Sequence, residues 1–144
     1  MAARYVVDAS ILGHYLDPDT YTVEVTNLLT GMVQGDQLYI PEFCLLECTN
    51  VLWKHVRFDG LPQTDATEVI ANLLMLPFQI VTVHPLLPTA LQIGLRHQLA
   101  VYDSLYIALA LEVNCPLITV DTRQSNAAAA SGVILKAITD FSLA

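Results

Sequence analysis

Four acidic residues stand where apolar segments begin or end, and their placement is what first suggests chemistry in this 144-residue sequence. Asp8 follows Tyr5-Val6-Val7, Glu47 follows Leu45-Leu46, and Asp121 follows Leu117-Ile118-Thr119-Val120. Asp103 stands at the mouth of the stretch Val101 to Leu111, in which every residue from Leu105 onward is apolar or aromatic. Each acid has an ordinary explanation by itself. Asp103 and Asp121 suit N-caps, whose carboxylates accept bonds from the free N–H groups of a first turn, and Asp8 suits a turn. Together they pose an electrostatic problem. If the four converge, two like charges about 4 Å apart repel by about 4 kcal/mol at an effective dielectric of ~20. Protonation, basic partners or a bound cation must offset that, and Arg4, Lys54, Arg57, Arg96, Arg123 and Lys136 are the only basic side chains of Lys or Arg type. A cation is the economical answer. An all-oxygen site selects a hard ion, magnesium or manganese. On a carboxylate cluster such an ion suits phosphodiester hydrolysis, where it activates water and stabilises the leaving oxygen.

The elements that must position these acids alternate. Arg4 to Val7 reads as a short buried strand, followed by a short helix from Ala9 that closes near Asp17-Pro18-Asp19. Thr20 to Val33 carries Val23, Leu28, Leu29, Met32 and Val33 at roughly helical spacing, and Gly35-Asp36 breaks it. Gln37 to Ile40 is a second strand, and Pro41 opens a helix from Glu42 to about Val56. Asp65 to Leu76 is helical, Phe78 to Val83 a third strand, and Leu87 to Leu99 a helix leading into the central apolar stretch. Leu117 to Val120 is a fourth strand, Thr122 to Ala130 a helix stopped at Gly132, and Val133 to Leu135 a fifth short strand. This alternation predicts a single α/β domain over residues 1–144, with a short parallel sheet of four to five strands and helices on both faces. In such sheets ligands gather outside the carboxyl ends of the strands, where Asp8 and Asp121 stand. Glu47 lies mid-helix, sharing a face with Phe43, Asn50, Val51 and Lys54. An all-apolar helix such as Leu105 to Leu111 belongs inside the domain.

Composition narrows the class. The chain is 54% hydrophobic and 14% charged, against a usual charged share of about 25%, which excludes disorder and predicts apolar surface for a partner subunit. A homodimer is expected, because two-fold dimers are the commonest way to bury such a surface. No apolar run approaches the roughly 18 residues of a membrane-spanning helix, and Asp8 interrupts the first apolar run before a signal sequence forms. A cytoplasmic protein with no membrane partner is expected. The net charge of −8 argues against nonspecific sliding along a duplex, because phosphate contacts are normally made by Lys and Arg.

The segments YVVDASIL (Tyr5 to Leu12), LLECTNVLWK (Leu45 to Lys54), VYDSLYIALA (Val101 to Ala110) and LITVDTR (Leu117 to Arg123) occur in an order that resembles the PIN-domain family, in particular its VapC-type toxin ribonucleases. The resemblance spans nearly the whole chain. It implies a magnesium- or manganese-dependent endoribonuclease acting on RNA, dimeric and held inactive by a small antitoxin protein. By position it implies Asp8, Glu47, Asp103 and Asp121 as the catalytic and metal-site acids. Ser10 and Thr119 match small hydroxyl positions near that site, and Asn50 matches a polar position one turn past the glutamate. The same cleft is expected to receive an arginine of the antitoxin, because a guanidinium pairs bidentately with carboxylates.

Other residues have plainer readings. Ser10 can cap the helix after it, Thr119 is a natural strand residue, and Arg123 is either a surface arginine or a contact to substrate phosphate. Cys44, Cys48 and Cys115 are read as small hydrophobes, since a zinc site needs four ligands at workable spacing. His14, His55, His84 and His97 form no motif. Trp53 and Tyr106 are read as core or dimer contacts. A catalytically silent PIN-like module that only holds a partner is the alternative function. A phosphorylation receiver is excluded, since Asp8 is followed by Ala9-Ser10 and Lys136 by Ala137. A haloacid-dehalogenase Asp-x-Asp is excluded by Ser10.

Overall fold

The computed structural model describes residues 2–16 and 20–142; the loop signal at Asp17-Pro18-Asp19 lies outside them. Four parallel strands form one sheet. The strands are β1 (Arg4–Val7), β2 (Gln37–Pro41), β3 (Gln79–Val81) and β4 (Leu117–Ile118), in the order β3-β2-β1-β4. Val6 stands opposite Tyr39 on one side and Leu117 on the other. Successive strand residues face opposite sides, yet Val6, Val7, Leu117 and Ile118 are all 0% exposed. Both faces of the central strands are therefore covered, as expected for a parallel sheet.

Seven helices supply that cover: α1 (Ala9–Leu16), α2 (Thr22–Thr30), α3 (Glu42–Phe58), α4 (Gln63–Met75), α5 (Leu87–His97), α6 (Val101–Val113) and α7 (Thr122–Ala130). The central apolar stretch is α6, and every residue from Ser104 to Ala110 is buried. It packs against β1, β2 and α5. The approach of α5 is close. A Cβ on Gly94 would stand 2.7 Å from the Leu99 carbonyl and 3.4 Å from the Ser104 hydroxyl, so a side chain there would force the α5–α6 corner apart. That corner turns through Gln98 at φ 53, and Leu99 N–H closes it on the Gly94 carbonyl at 3.0 Å.

Several boundaries differ from the sequence pattern, among them the fourth strand, which spans Leu117–Ile118 instead of Leu117 to Val120. The helix expected to reach Val33 leaves α geometry at Thr30 and finishes as a 3-10 turn over 31–34, ended by Gly35 at φ 104. The third strand is shorter than Phe78 to Val83, spanning Gln79–Val81. The fifth strand reduces to one bridge. Leu117 N–H donates to the Ile134 carbonyl (2.9 Å) and its own carbonyl accepts from Lys136 N–H (3.0 Å), pairing Leu117 with Leu135. With β4 only two residues long, a longer ladder has no partner. Gly132 at φ 85 ends α7, and Val133 N–H donates to the Ala128 carbonyl, the pairing of a Schellman stop. Leu87, Leu91 and Leu95, one turn apart on α5, face outward at 43%, 51% and 74% exposure. No helix among the described residues is long and apolar enough to cross a membrane.

Candidate functional site

Asp8 leaves β1 at its carboxyl end and is 5% exposed. Burial lifts its carboxyl to about 6, against the pull of its hydrogen bonds. Ser10 Oγ donates to Oδ1 (2.7 Å) and Thr119 Oγ1 lies 2.9 Å from Oδ2. Ile11 N–H also reaches Oδ1 at 3.4 Å, so the residue caps α1 while facing β4. Ser10 is held in turn by Val120 N–H (3.2 Å). Ser10 and Thr119, singled out in the sequence, therefore grip the carboxylate of Asp8.

Thr119 is contested. Its hydroxyl stands 2.9 Å from Asp8 Oδ2 and 2.7 Å from Gln124 Oε1, and it accepts Asp121 N–H at 3.0 Å. A hydroxyl has one proton to donate. With Asp8 ionised, both acceptors compete for it.

Glu47 projects from the middle of α3 and is half-buried. Tyr106, 1% exposed on α6, donates its hydroxyl to Glu47 Oε1 at 2.5 Å. Burial raises the Glu47 carboxyl, Tyr106 pulls it back, and the charges of Asp103 and Asp8 push it up further. Glu47 thus feels two of the other acids, each carried on a different element.

Asp103 is not the N-cap that its position before the apolar run suggested. Ala100 occupies that place, and Asp103 lies within the first turn of α6. The helix starts before the apolar run does, so the carboxylate is released from capping. Burial raises it most, then the charge of Asp121; Arg123 opposes both. Asp121 is an N-cap, that of α7, accepting Gln124 N–H on Oδ1 at 3.0 Å. Capping leaves its other oxygen available. Arg123 is exposed and donates Nη2 to the Gln98 carbonyl at 2.8 Å, tying α7 to the α5–α6 corner. Asn50 is exposed on α3, one turn past Glu47.

Two residues of this network escaped the sequence reading. Gln124 is 0% exposed and bridges the site, with Oε1 toward Thr119 and Nε2 donating to the Asp103 carbonyl at 2.9 Å. Its signal was the spacing Asp121-x-x-Gln124, the pattern of a capping box. Tyr106 was read as core or dimer contact; it is core, but its hydroxyl has a second task at Glu47. Its position, three residues past Asp103 on one helix face, was the available sign. Two of the three cysteines behave as read, while Cys115 is half-buried. Cys44 and Cys48 are buried and free, and the Cys48 contact and burial hold the Cys44 thiol far above its ordinary range.

The donor chemistry can be tested against a metal. Among the described residues, no three or more His, Cys, Asp or Glu side chains are grouped to hold an ion as they stand. The donors nevertheless fit a hard cation: carboxylate oxygens raised by burial and mutual repulsion, with hydroxyls beside them. Magnesium retains several waters and takes one or two carboxylates directly, so it does not require three in contact.

This fold, with Asp8 and Asp121 following neighbouring parallel strands, defines a class. The PIN domain family profile matches residues 5–130, and the chain belongs to that family. Ribonuclease VapC3 of Pyrobaculum aerophilum is 29% identical over 121 residues, covering 82% of this chain and 89% of the relative. The crystal structure of PAE2754 from Pyrobaculum aerophilum matches with a TM-score of 0.72 at 23% identity, covering 97% of this chain and 87% of that one. A toxin-antitoxin complex from Klebsiella pneumoniae matches with a TM-score of 0.56 at 16% identity, covering 83% and 88%. At these identities the two solved structures speak to the fold.

Proposed function

We propose that the chain is a divalent-metal-dependent endoribonuclease, a single domain that hydrolyses RNA phosphodiester bonds as the toxin of a toxin-antitoxin pair. The observation that carries this reading is the shared electric field of acids from separate elements. Glu47 on α3 is raised first by burial and then by Asp103 and Asp8, and Asp103 on α6 first by burial and then by Asp121. A protein that only binds a partner gains nothing from that repulsion. The name of the relative from Pyrobaculum aerophilum, a ribonuclease, supports the same activity.

In this reading Asp8, Glu47, Asp103 and Asp121 are the catalytic acids and hold magnesium or manganese. When bound, the cation supplies a lowered water pKa and charge for the leaving oxygen. The protein supplies the geometry. Ser10 and Thr119 fix the Asp8 carboxylate, and Tyr106 fixes one oxygen of Glu47. Gln124 ties the first turn of α6 to the start of α7. Asn50 and Arg123 contact substrate from the rim. The partners are an antitoxin whose arginine enters the acidic cleft and a second copy of the chain, for which the outward leucines of α5 offer a surface. The Klebsiella pneumoniae complex supports the antitoxin. The working compartment is the cytoplasm.

The test is cleavage of a fluorescently labelled single-stranded RNA with magnesium or manganese, with chelator, and with Asp103→Asn. Cleavage that needs metal and falls at least ~100-fold in the variant is expected. Cleavage indifferent to both changes refutes the metal site, and a metal-replete chain that binds antitoxin but cuts nothing favours the silent binding module.

A further inference from the structure

Two rungs join α3 to α6. One is the bond from Tyr106 to Glu47. The other lies four residues earlier on each helix, where Tyr102 stacks on Phe43 with ring centroids 5.0 Å apart and planes 13° from parallel. Four residues of helix rise about 6 Å, so the stack stands about that far from the Glu47 rung, toward the starts of both helices. Other ring contacts among the described residues, Tyr5 with Phe141, His14 with Tyr21 and Trp53 with Phe58, meet edge-on. Here the rings lie flat. Phe43 is half-buried and braces one face of Tyr102, while Tyr102 is 60% exposed. A ring braced on one face and open to solvent accepts a third flat ring at little ordering cost.

Charge says what that third ring is. With a net charge of −8 and six Lys and Arg residues, the chain cannot hold a phosphate backbone mainly by ion pairs. Stacking of bases on aromatic side chains needs no positive charge and is worth ~1–3 kcal/mol per base. The helices on either side of the stack begin after Pro41 and Ala100, neither of which gives a side-chain cap, so first-turn N–H groups are presented there. Duplex bases are already stacked, whereas single-stranded bases are free to splay.

We infer that Tyr102, braced by Phe43, is a stacking subsite for a base of single-stranded RNA next to the scissile bond. The inference rests on the nuclease reading above and adds how an acidic chain holds its substrate. Binding through this subsite depends on the ring and only weakly on salt.

The experiment measures fluorescence anisotropy of a short, uncleavable 2′-O-methyl single strand on the manganese-loaded protein. Wild type, Tyr102→Ala, Tyr102→Phe and Phe43→Ala are compared, with light scattering on each and cleavage of unmodified RNA in parallel. Tyr102→Ala is expected to weaken binding by about 5- to 150-fold, the equivalent of ~1–3 kcal/mol. Tyr102→Phe, which keeps the ring, stays within about twofold, and a base-paired version of the strand binds far more weakly to wild type. Tyr102→Ala binding within about twofold of wild type, while wild type still cuts, overturns the subsite and leaves the nuclease reading standing. A changed molar mass in Tyr102→Ala makes the residue a subunit contact and equally overturns it. A wild-type chain that neither binds nor cuts single strands removes the nuclease reading and this inference together.

Discussion

Asp8→Asn is expected to make the metal-free protein more stable at neutral pH. Burial lifts the Asp8 carboxyl from 3.8 to about 6, so the folded chain holds that proton more tightly than the unfolded one. Each tenfold change in proton affinity is worth about 1.4 kcal/mol, and the ionised carboxylate therefore costs the fold ~3 kcal/mol. The folded state carries the extra proton between about pH 4 and pH 6, so stability falls as pH rises through that window. Below about pH 4 both states are protonated and the penalty vanishes; above about pH 6 it is complete. Glu47 and Asp103 are raised in the same direction and steepen the fall in both proteins, so the difference between them reports Asp8 together with the push of its charge on Glu47. The asparagine amide also fits the local bonds. Its oxygen can accept from Ser10 and Ile11, and its N–H can donate to Thr119, freeing the hydroxyl proton for Gln124. Denaturant unfolding in chelator should show similar stability near pH 4 and an advantage of up to ~3 kcal/mol for the variant near pH 7. Millimolar magnesium or manganese should shrink or reverse the gap, because a ligand stabilises only the chain that binds it. A variant no more stable than wild type at pH 7 without metal would show that Asp8 is not held ionised against burial.

Three further outcomes follow from the network. Tyr106→Phe leaves the ring packed but removes the donor to Glu47, and manganese affinity measured calorimetrically should weaken by about 10-fold, the scale of a lost bond to a charged group; unchanged affinity would separate Tyr106 from the site. Gln124→Leu removes two buried bonds at ~0.5–1.5 kcal/mol each and should lower Tm by several degrees, and a melt within about a degree of wild type would refute the bridge. If the antitoxin places an arginine among the carboxylates, its affinity should fall as magnesium rises, beyond the effect of sodium chloride at equal ionic strength; identical titrations in the two salts would move the antitoxin away from the acids.

The placement of β1, α3, α6 and β4 was legible because their apolar runs are bounded by sharp breaks, such as Asp8, Pro41 and Asp121. The four acids stood out in the sequence for a related reason, as charges next to apolar runs. The support between them did not. Tyr106 and Glu47 are 59 residues apart in sequence, and an aromatic ring inside an apolar helix looks like core until the neighbouring helix is in place. Gln124 sits on a helix otherwise rich in alanine, and only the turn of β4 into α7 brings its amide between Thr119 and the Asp103 carbonyl. The plain reading of Asp103 as a cap fails because the helix starts ahead of the apolar run, at Val101 after the cap Ala100. Val133 to Leu135 looked like a strand from β propensity, but pairing needs a neighbour of matching length, and β4 offers two residues.

The enclosure of α6 also sets the order in which the molecule comes apart. Amides in the middle of a helix buried from Ser104 to Ala110 exchange with solvent only when the whole domain opens, whereas elements with less buried surface open in smaller, cheaper events. Helix α4 buries Ala66 and Leu73, with Leu74 and Met75 exposed at its end, and belongs to that second group. Tyr106 lies in that last part of the chain to exchange and Asp103 directly before it, so fraying or proteolytic nicking at α4 leaves their mutual placement intact.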